Sequence, residues 1–143
     1  MASVKIQMPE DFLLKISTLA DKTDEIMPKV LEAGGEVVLK KVKSNLQAVI
    51  CKGTKIQSRS TGELVRSLGL SKARVDRNGK WDVKVGFAEP RRDGNSNAKI
   101  ANIIEHGKHG QPAKPFLKSA KSASKQSCIN AIKSKLTEEI NNI

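Results

Sequence analysis

The longest amphipathic stretch of the chain reads TDEIMPKVLEAGGEVVLKKVKSNLQAVI and spans residues 23–50. Its apolar positions recur every three or four residues, which predicts one face of a long α-helix. That face comprises Met27, Val30, Leu31, Gly34, Val38, Val42, Leu46 and Val49. Lysine and glutamate lie mostly outside it. The stretch therefore predicts the main core helix, against which the other elements pack.

Two adjacent glycines, Gly34 and Gly35, lie in the middle of this helix. A glycine inside a helix costs about 1 kcal/mol relative to alanine. The pair indicates that another element approaches closely there or that the helix bends. A true break at the pair is the third possibility.

Two shorter elements are predicted before the core helix. Residues 3–7 alternate between apolar and polar and favour a short edge strand. Pro9, Glu10 and Asp11 suit a first helical turn, because acidic side chains favour the positive end of a helix. The helix is expected to run to about Ala20. Its apolar face comprises Phe12, Leu13, Ile16 and Leu19.

A β-hairpin is predicted over about residues 68–87. Its second strand is indicated by apolar residues at every other position, namely Trp81, Val83, Val85 and Phe87. Asn78-Gly79 supplies the positive φ angles of a tight two-residue turn. Residues 64–75 supply the first strand and begin either with one helical turn or directly with the strand.

Two more helices are predicted after the hairpin. One carries Ile100, Ile103 and Ile104 on one face and ends at Gly107, and the last begins at Pro115 and runs to about residue 141. The order β, α, α, ββ, α, α predicts an α+β fold. In it the long core helix and the C-terminal helix pack on a small antiparallel sheet that contains the hairpin.

The chain has 143 residues, enough for a single domain over 1–143 but not for two comfortable ones. Mobile loops are expected at about 51–62 and 88–97, where glycine, serine and basic residues cluster. No run approaches the roughly 18 apolar residues of a membrane span, so we expect a cytosolic protein without membrane contact. Cys51 and Cys128 are then expected to be reduced and inert.

The net charge is +11, and it arises entirely after residue 50, because the first 50 residues carry seven lysines and seven acidic residues. Such an excess suggests an anionic partner. The candidate contacts to phosphate or to a protein interface are Lys52, Lys55, Arg59, Arg91 and Arg92. Aromatic residues make up only 3%, which argues against base stacking. A small basic protein that binds nucleic acid without sequence preference is therefore the alternative function.

A metal or acid–base site is considered at Glu105-His106-Gly107-Lys108-His109. The two histidines are three positions apart and flank a glycine, unlike the HExxH motif of zinc hydrolases. A helix cap followed by a loop is the preferred interpretation. No phosphate-binding loop or nucleophile motif is present in the sequence, so we expect no catalysis, no metal and no cofactor.

Three sequence pieces resemble a bacteriophage tail-component family when taken in order with the hairpin. They are TG-x-L-x-x-S-Φ at 61–68, Φ-E-x-G at 104–107 and P-A-x-P-F-L-x-x-A at 112–120, where Φ is apolar. The resemblance covers most of residues 23–143. The residues that carry it are Thr61, Gly62, Leu64, Glu105, Gly107, Pro112, Pro115, Phe116 and Leu117. Lys108 departs from the pattern, since many members have threonine there.

The resemblance implies a non-enzymatic structural role in head–tail joining or tail completion. Such proteins are expected to self-associate, as a ring around the DNA channel, and to contact other tail or connector proteins. The expected location is the virion, after assembly in the bacterial cytoplasm. The basic loops would then meet acidic protein neighbours or face the DNA.

Overall fold

A computed structural model describes residues 10–50, 62–89, 94 and 96–142. The helices are α1 Glu10–Asp21, α2 Thr23–Val49, α3 Glu63–Ser67, α4 Asn97–His106 and α5 Phe116–Asn141. The strands are β1 Leu68–Leu70, β2 Arg74–Val75, β3 Trp81–Asp82 and β4 Val85–Phe87. The predicted α+β fold is confirmed. The strand predicted at 3–7, residues 51–61 of the first predicted loop with Cys51, and half of the second predicted loop at 88–97 lie outside the described residues.

Helices α2 and α5 form an antiparallel pair that is the largest contact in the molecule. At one end the Asn45 side-chain amide donates to the Phe116 carbonyl at 3.3 Å. At the other end Lys29 Nζ lies 3.7 Å from Glu139 Oε2, and this carboxylate also pairs with Lys135 of its own helix. The pair spans the molecule along nearly the full length of both helices.

The two glycines of α2 lie where the helix is packed on two sides. The helix is continuous through them, so a break is excluded. A Cβ atom built on Gly34 would lie 2.6 Å from Ile132 Cγ1 of α5, and one built on Gly35 would lie 2.6 Å from Leu70 Cδ1 of β1. Side chains of two different elements therefore approach the helix at adjacent positions. Cys128, a half-buried free thiol, also lies beside Gly34.

The hairpin consists of two short ladders separated by a bulge. Strand β1 pairs antiparallel with β4, and β2 pairs antiparallel with β3. Between the ladders Lys72 and Ala73 oppose only Val83, because the pairing register shifts by one residue there. The amide of Lys84 donates to Ser71 Oγ at 2.8 Å, so a side chain replaces the backbone acceptor next to the bulge.

The predicted two-residue turn at Asn78-Gly79 is wrong by one residue. The amide of Asp76 donates to the Lys80 carbonyl at 2.7 Å, which leaves three residues in the loop. Asp76 Oδ1 accepts from the amides of Asn78 and Lys80 at 2.8 and 2.9 Å. Gly79 has a φ of 77°, the left-handed residue that a three-residue hairpin loop requires. The aspartate side chain thus selects the longer loop.

The core lies between the α2–α5 pair, α3, α4 and the first ladder of the hairpin. Its buried members are Val42, Leu46, Leu64, Ala101, Phe116 and Ala120. The ring of Phe116 meets that of Phe87 edge to face, with centroids 6.3 Å apart and planes at 74°. Strand β1 follows one short helix, α3, so the segment from Leu64 begins with a helical turn.

Helix α1 differs most from its predicted environment. It is separated from α2 by Lys22 alone, and α2 is its main contact. Leu13 and Ile16, on the predicted apolar face, are 48% and 47% exposed. In α2, Ile26 is buried although the periodic face had placed Met27 inward.

Candidate functional site

Two of the three motif pieces, Φ-E-x-G and P-A-x-P-F-L, meet at the junction between α4 and α5, where Glu105 is the central side chain. It lies in the last turn of α4 and is 7% exposed. Its Oε2 accepts from the amide of Leu117 at 2.8 Å, and its Oε1 accepts from the amide of Lys118 at 3.0 Å. The first amides of a helix have no partner within the helix. Pro115, at the N-cap of α5, has no side-chain acceptor, so the carboxylate of α4 caps α5 instead.

Gly107 lets the chain turn back immediately after α4. Its φ is 76°, and its amide donates to the Ile103 carbonyl at 2.7 Å. A Cβ atom there would lie 2.7 Å from the Ala113 nitrogen and 2.8 Å from the Gln111 oxygen. Both the φ angle and the close backbone contact therefore require glycine. The returning segment is fixed by the amide of Lys114, which donates to the Ile104 carbonyl at 2.8 Å.

The P-A-x-P-F-L piece carries the chain from this turn into the core. Pro112 and Pro115 are exposed and flank the last residues before α5. Phe116 is buried against Phe87, and Leu117 packs at the edge of the same core cluster. The C-terminal end of the piece is thus held both by Glu105, through the amide of Leu117, and by the core, through the side chain of Phe116.

A second acidic cap lies at the N-terminus of α4. Glu89 Oε1 accepts from the Ser96 hydroxyl at 2.8 Å and from the amide of Ala98 at 2.7 Å. Ser96 Oγ accepts in turn from the amide of Lys99 at 3.2 Å. Asn97 is almost completely buried, and its side-chain amide donates to the Ala88 carbonyl at 2.7 Å. Hydrogen bonds from side chains thus join the end of β4 to the start of α4, just as Glu105 joins the end of α4 to the start of α5.

The cap formed by Glu89 and Ser96 was not predicted from the sequence. Ser96 carries a detectable signal, since serine before an apolar helical run is a preferred N-cap. Glu89 and Asn97 have none, because their roles depend on how a strand end and a helix start meet in space.

The TG motif leads into α3. Gly62 has a φ of 75° and precedes the helix, and its carbonyl accepts from the amide of Arg66 at 3.1 Å. Leu64 is buried in the core. The Ser67 carbonyl accepts from the amide of Ala88 at 2.8 Å and so extends the pairing of β1 with β4. Thr61 lies outside the described residues. So do the predicted basic contacts Lys52, Lys55, Arg59, Arg91 and Arg92.

In the part of the chain that the structure describes, the histidines next to Glu105 do not lie in a cluster of metal-ligating side chains. His106 is exposed at the end of α4, and His109 is exposed in the turn after it. Among the described residues, no three His, Cys, Asp or Glu side chains are grouped so as to hold a metal ion. Within the same part of the chain, no helix has the length and apolar character needed to cross a membrane.

The fold and this site define a helical α+β building block whose motif residues hold its elements to one another. The chain belongs to the bacteriophage tail-component family described as "Bacteriophage HK97-gp10, putative tail-component", whose pattern matches residues 10–107. The resemblance predicted from the motifs is confirmed. The match begins with α1, which the motifs had left out, and ends at Gly107, before the P-A-x-P-F-L piece. Comparison with curated proteins and with solved structures gives no match.

Proposed function

We propose that this protein is a non-enzymatic structural component of a phage or prophage particle that acts in head–tail joining or tail completion. In this role it self-associates, as a ring around the DNA channel, and contacts other tail or connector proteins in the virion. It is assembled into particles in the bacterial cytoplasm. Membership of a tail-component family supports the structural role.

The observation that carries the proposal is the use of the motif residues. Glu105 caps α5, Gly107 permits the return of the chain, and Phe116 fixes the start of α5 in the core. Each of these roles stiffens the body of the protein. A stiff body suits a subunit that must present fixed surfaces to several neighbours at once.

Deletion of the gene from an inducible phage genome tests this function. We expect filled heads without joined tails, or defective tails, in electron micrographs of the lysate. Supply of the wild-type chain from a plasmid should restore complete particles. Complete and infectious particles formed without the protein would refute the proposal.

Nucleic-acid binding stays as the second candidate function because of one surface on α5. Lys118, Lys121 and Lys125 are exposed and share one face of the helix, and no acidic residue occurs from 116 to 137. Three such charges can contact phosphates, with affinity that falls steeply as salt rises. Charge reversal of these lysines, or of the five basic loop residues, separates the candidates. DNA retention lost with particle assembly intact would favour the nucleic-acid-binding role.

A further inference from the structure

Helix α1 presents apolar side chains that the described part of the chain leaves exposed. Leu13 and Ile16 lie one turn apart on one face and are each about half exposed, and Leu14 beside them is 67% exposed. Exposed large apolar groups concentrated on one short helix mark an interaction surface. The same helix carries three acidic residues and one lysine. A partner for α1 should therefore be apolar at its centre and basic around it.

The tip of the hairpin has this character. Val75 is 50% exposed and is paired across the hairpin with Trp81, which is partly exposed. Four basic residues surround them, against Asp76 and Asp82: Lys72, Arg74, Arg77 and Lys80. Arg74 lies 3.5 Å from Asp82. The exposed Arg77 and Lys80 lie in and beside the turn itself.

The hairpin tip lies outside the core cluster, although α2 still contacts strand β3. Leu68 and Val85 pack at the core with Val42 and Leu46 of α2. One step further along, Leu70 and Val83 lie against Gly35. The pair formed by Val75 and Trp81 comes after the bulge and outside the core cluster. Val75 is half exposed and Trp81 is partly exposed, so apolar surface remains accessible at this pair.

We propose that α1 of one copy of the protein docks on the hairpin tip of the next copy. Leu13 and Ile16 would pack on Val75 and Trp81, with the acidic residues of α1 near Arg77 and Lys80. The two surfaces are different parts of one chain, so the contact is head-to-tail, and a head-to-tail contact that closes gives a ring. The inference rests on the proposed function and supplies the subunit contact that a ring requires.

Sedimentation velocity of two variants and of their mixture tests the contact. The L13D/I16D variant removes the α1 surface, and the R77E/K80E variant removes the tip surface. We expect the wild-type chain to assemble and each variant to be monomeric. An equimolar mixture should give a one-to-one dimer and nothing larger, because one intact α1 surface and one intact tip surface remain in the pair. Circular dichroism checks that both variants keep the wild-type helix content.

The K40E/K43E variant is the matched control, since it reverses two exposed charges in the C-terminal half of α2 that belong to neither proposed surface. We expect it to assemble as the wild-type chain does. If the wild-type chain assembles only with tail proteins present, the same comparison is made in that mixture. A tip variant that assembles normally, or a mixture that stays monomeric, would overturn the proposed contact. The apolar side chains of α1 would then bind a partner other than the hairpin tip. A wild-type chain that is monomeric under both conditions would overturn the contact as well.

The particle assay separates failure of this contact from failure of the proposed function. If the tip variant assembles and restores joined particles, the contact is wrong and the function stands. If particles are complete without any copy of the protein, the function itself is wrong.

Discussion

Glu105 is a buried carboxylate whose two oxygens are both used by the first turn of another helix. Substitution by alanine leaves two amides at the start of α5 without this acceptor. We expect E105A to lower the free energy of unfolding by about 1–3 kcal/mol, and E105Q by less, because an amide oxygen still accepts. Urea unfolding with an unchanged m-value measures the loss.

Glu32 provides the matched control for Glu105, because it is an exposed glutamate on α2. Its substitution by alanine should change stability by no more than about 0.5 kcal/mol. Equal stability of E105A and E32A would show that the carboxylate of Glu105 contributes nothing as a helix cap.

Gly34 and Gly35 should respond differently to alanine, although both lie in the same helical turn. At Gly34 the new methyl group meets Ile132 Cγ1, an inner atom of a stiff β-branched side chain. At Gly35 it meets Leu70 Cδ1, the end of a more flexible side chain. The gain in helix propensity is about 1 kcal/mol at either position. We expect G34A to be destabilised by about 1–2 kcal/mol net and G35A to lie close to wild type.

A double-mutant cycle with I132A identifies the cause. If the clash explains the loss, the G34A/I132A protein should be more stable than the sum of the single changes implies. Additive effects, or a greater loss in G35A than in G34A, would contradict this explanation. Thermal unfolding of the four chains gives the comparison.

The hairpin turn depends on the side chain of Asp76. Its Oδ1 accepts from two amides of the turn, so D76A should loosen the tip while the first ladder stays paired. The expected cost is about 1 kcal/mol. Hydrogen exchange should accelerate at the amides of Asn78 and Lys80 but not at Ala88. Uniform acceleration along the hairpin would show that its two ladders open as one unit.

Local sequence signals were sufficient to predict the long elements. The three-to-four spacing located α2, Pro115 indicated the start of α5, and the alternation from Trp81 to Phe87 located the second half of the hairpin. The bulge was not predictable in the same way, because its extra residue lies in the opposite strand, at Lys72 and Ala73. Periodicity also shows that α1 has an apolar face, but not whether the same chain covers that face.

The candidate site was only partly predictable for a related reason. Glu105 and Gly107 were identified through the motifs that contain them, and a glycine at a helix end has a local physical meaning. The capping of α5 by Glu105 joins residues 12 positions apart. No rule of spacing along the sequence indicates such a contact, which depends on the path of the returning segment.

The described chain consists of a main body, formed by α2 to α5 and the hairpin, and of helix α1, which contributes no residue to the core cluster. The core cluster draws its buried members from α2, α3, α4 and α5, and strands β1 and β4 pack against it. Helix α1 has α2 as its main contact and exposes large apolar side chains. The tail-component family nevertheless matches from the first residue of α1. Its place in the family pattern suggests that this helix has a role outside the fold of the single chain.

A chain that begins at Lys22 should therefore fold but fail to assemble. Because the body keeps its buried cluster and both acidic caps, we expect its free energy of unfolding to stay within about 1 kcal/mol of the full chain. Its m-value should fall only slightly, because α1 buries little surface in the folded chain and so adds little to the surface exposed on unfolding. Removal of residues 133–143 is the contrasting control, because it takes away the end of α5 that pairs with Lys29 of α2 and should destabilise strongly. A loss of stability on removing α1 as great as that on truncating α5 would place α1 in the body of the fold and leave its apolar side chains with a structural role within the single chain.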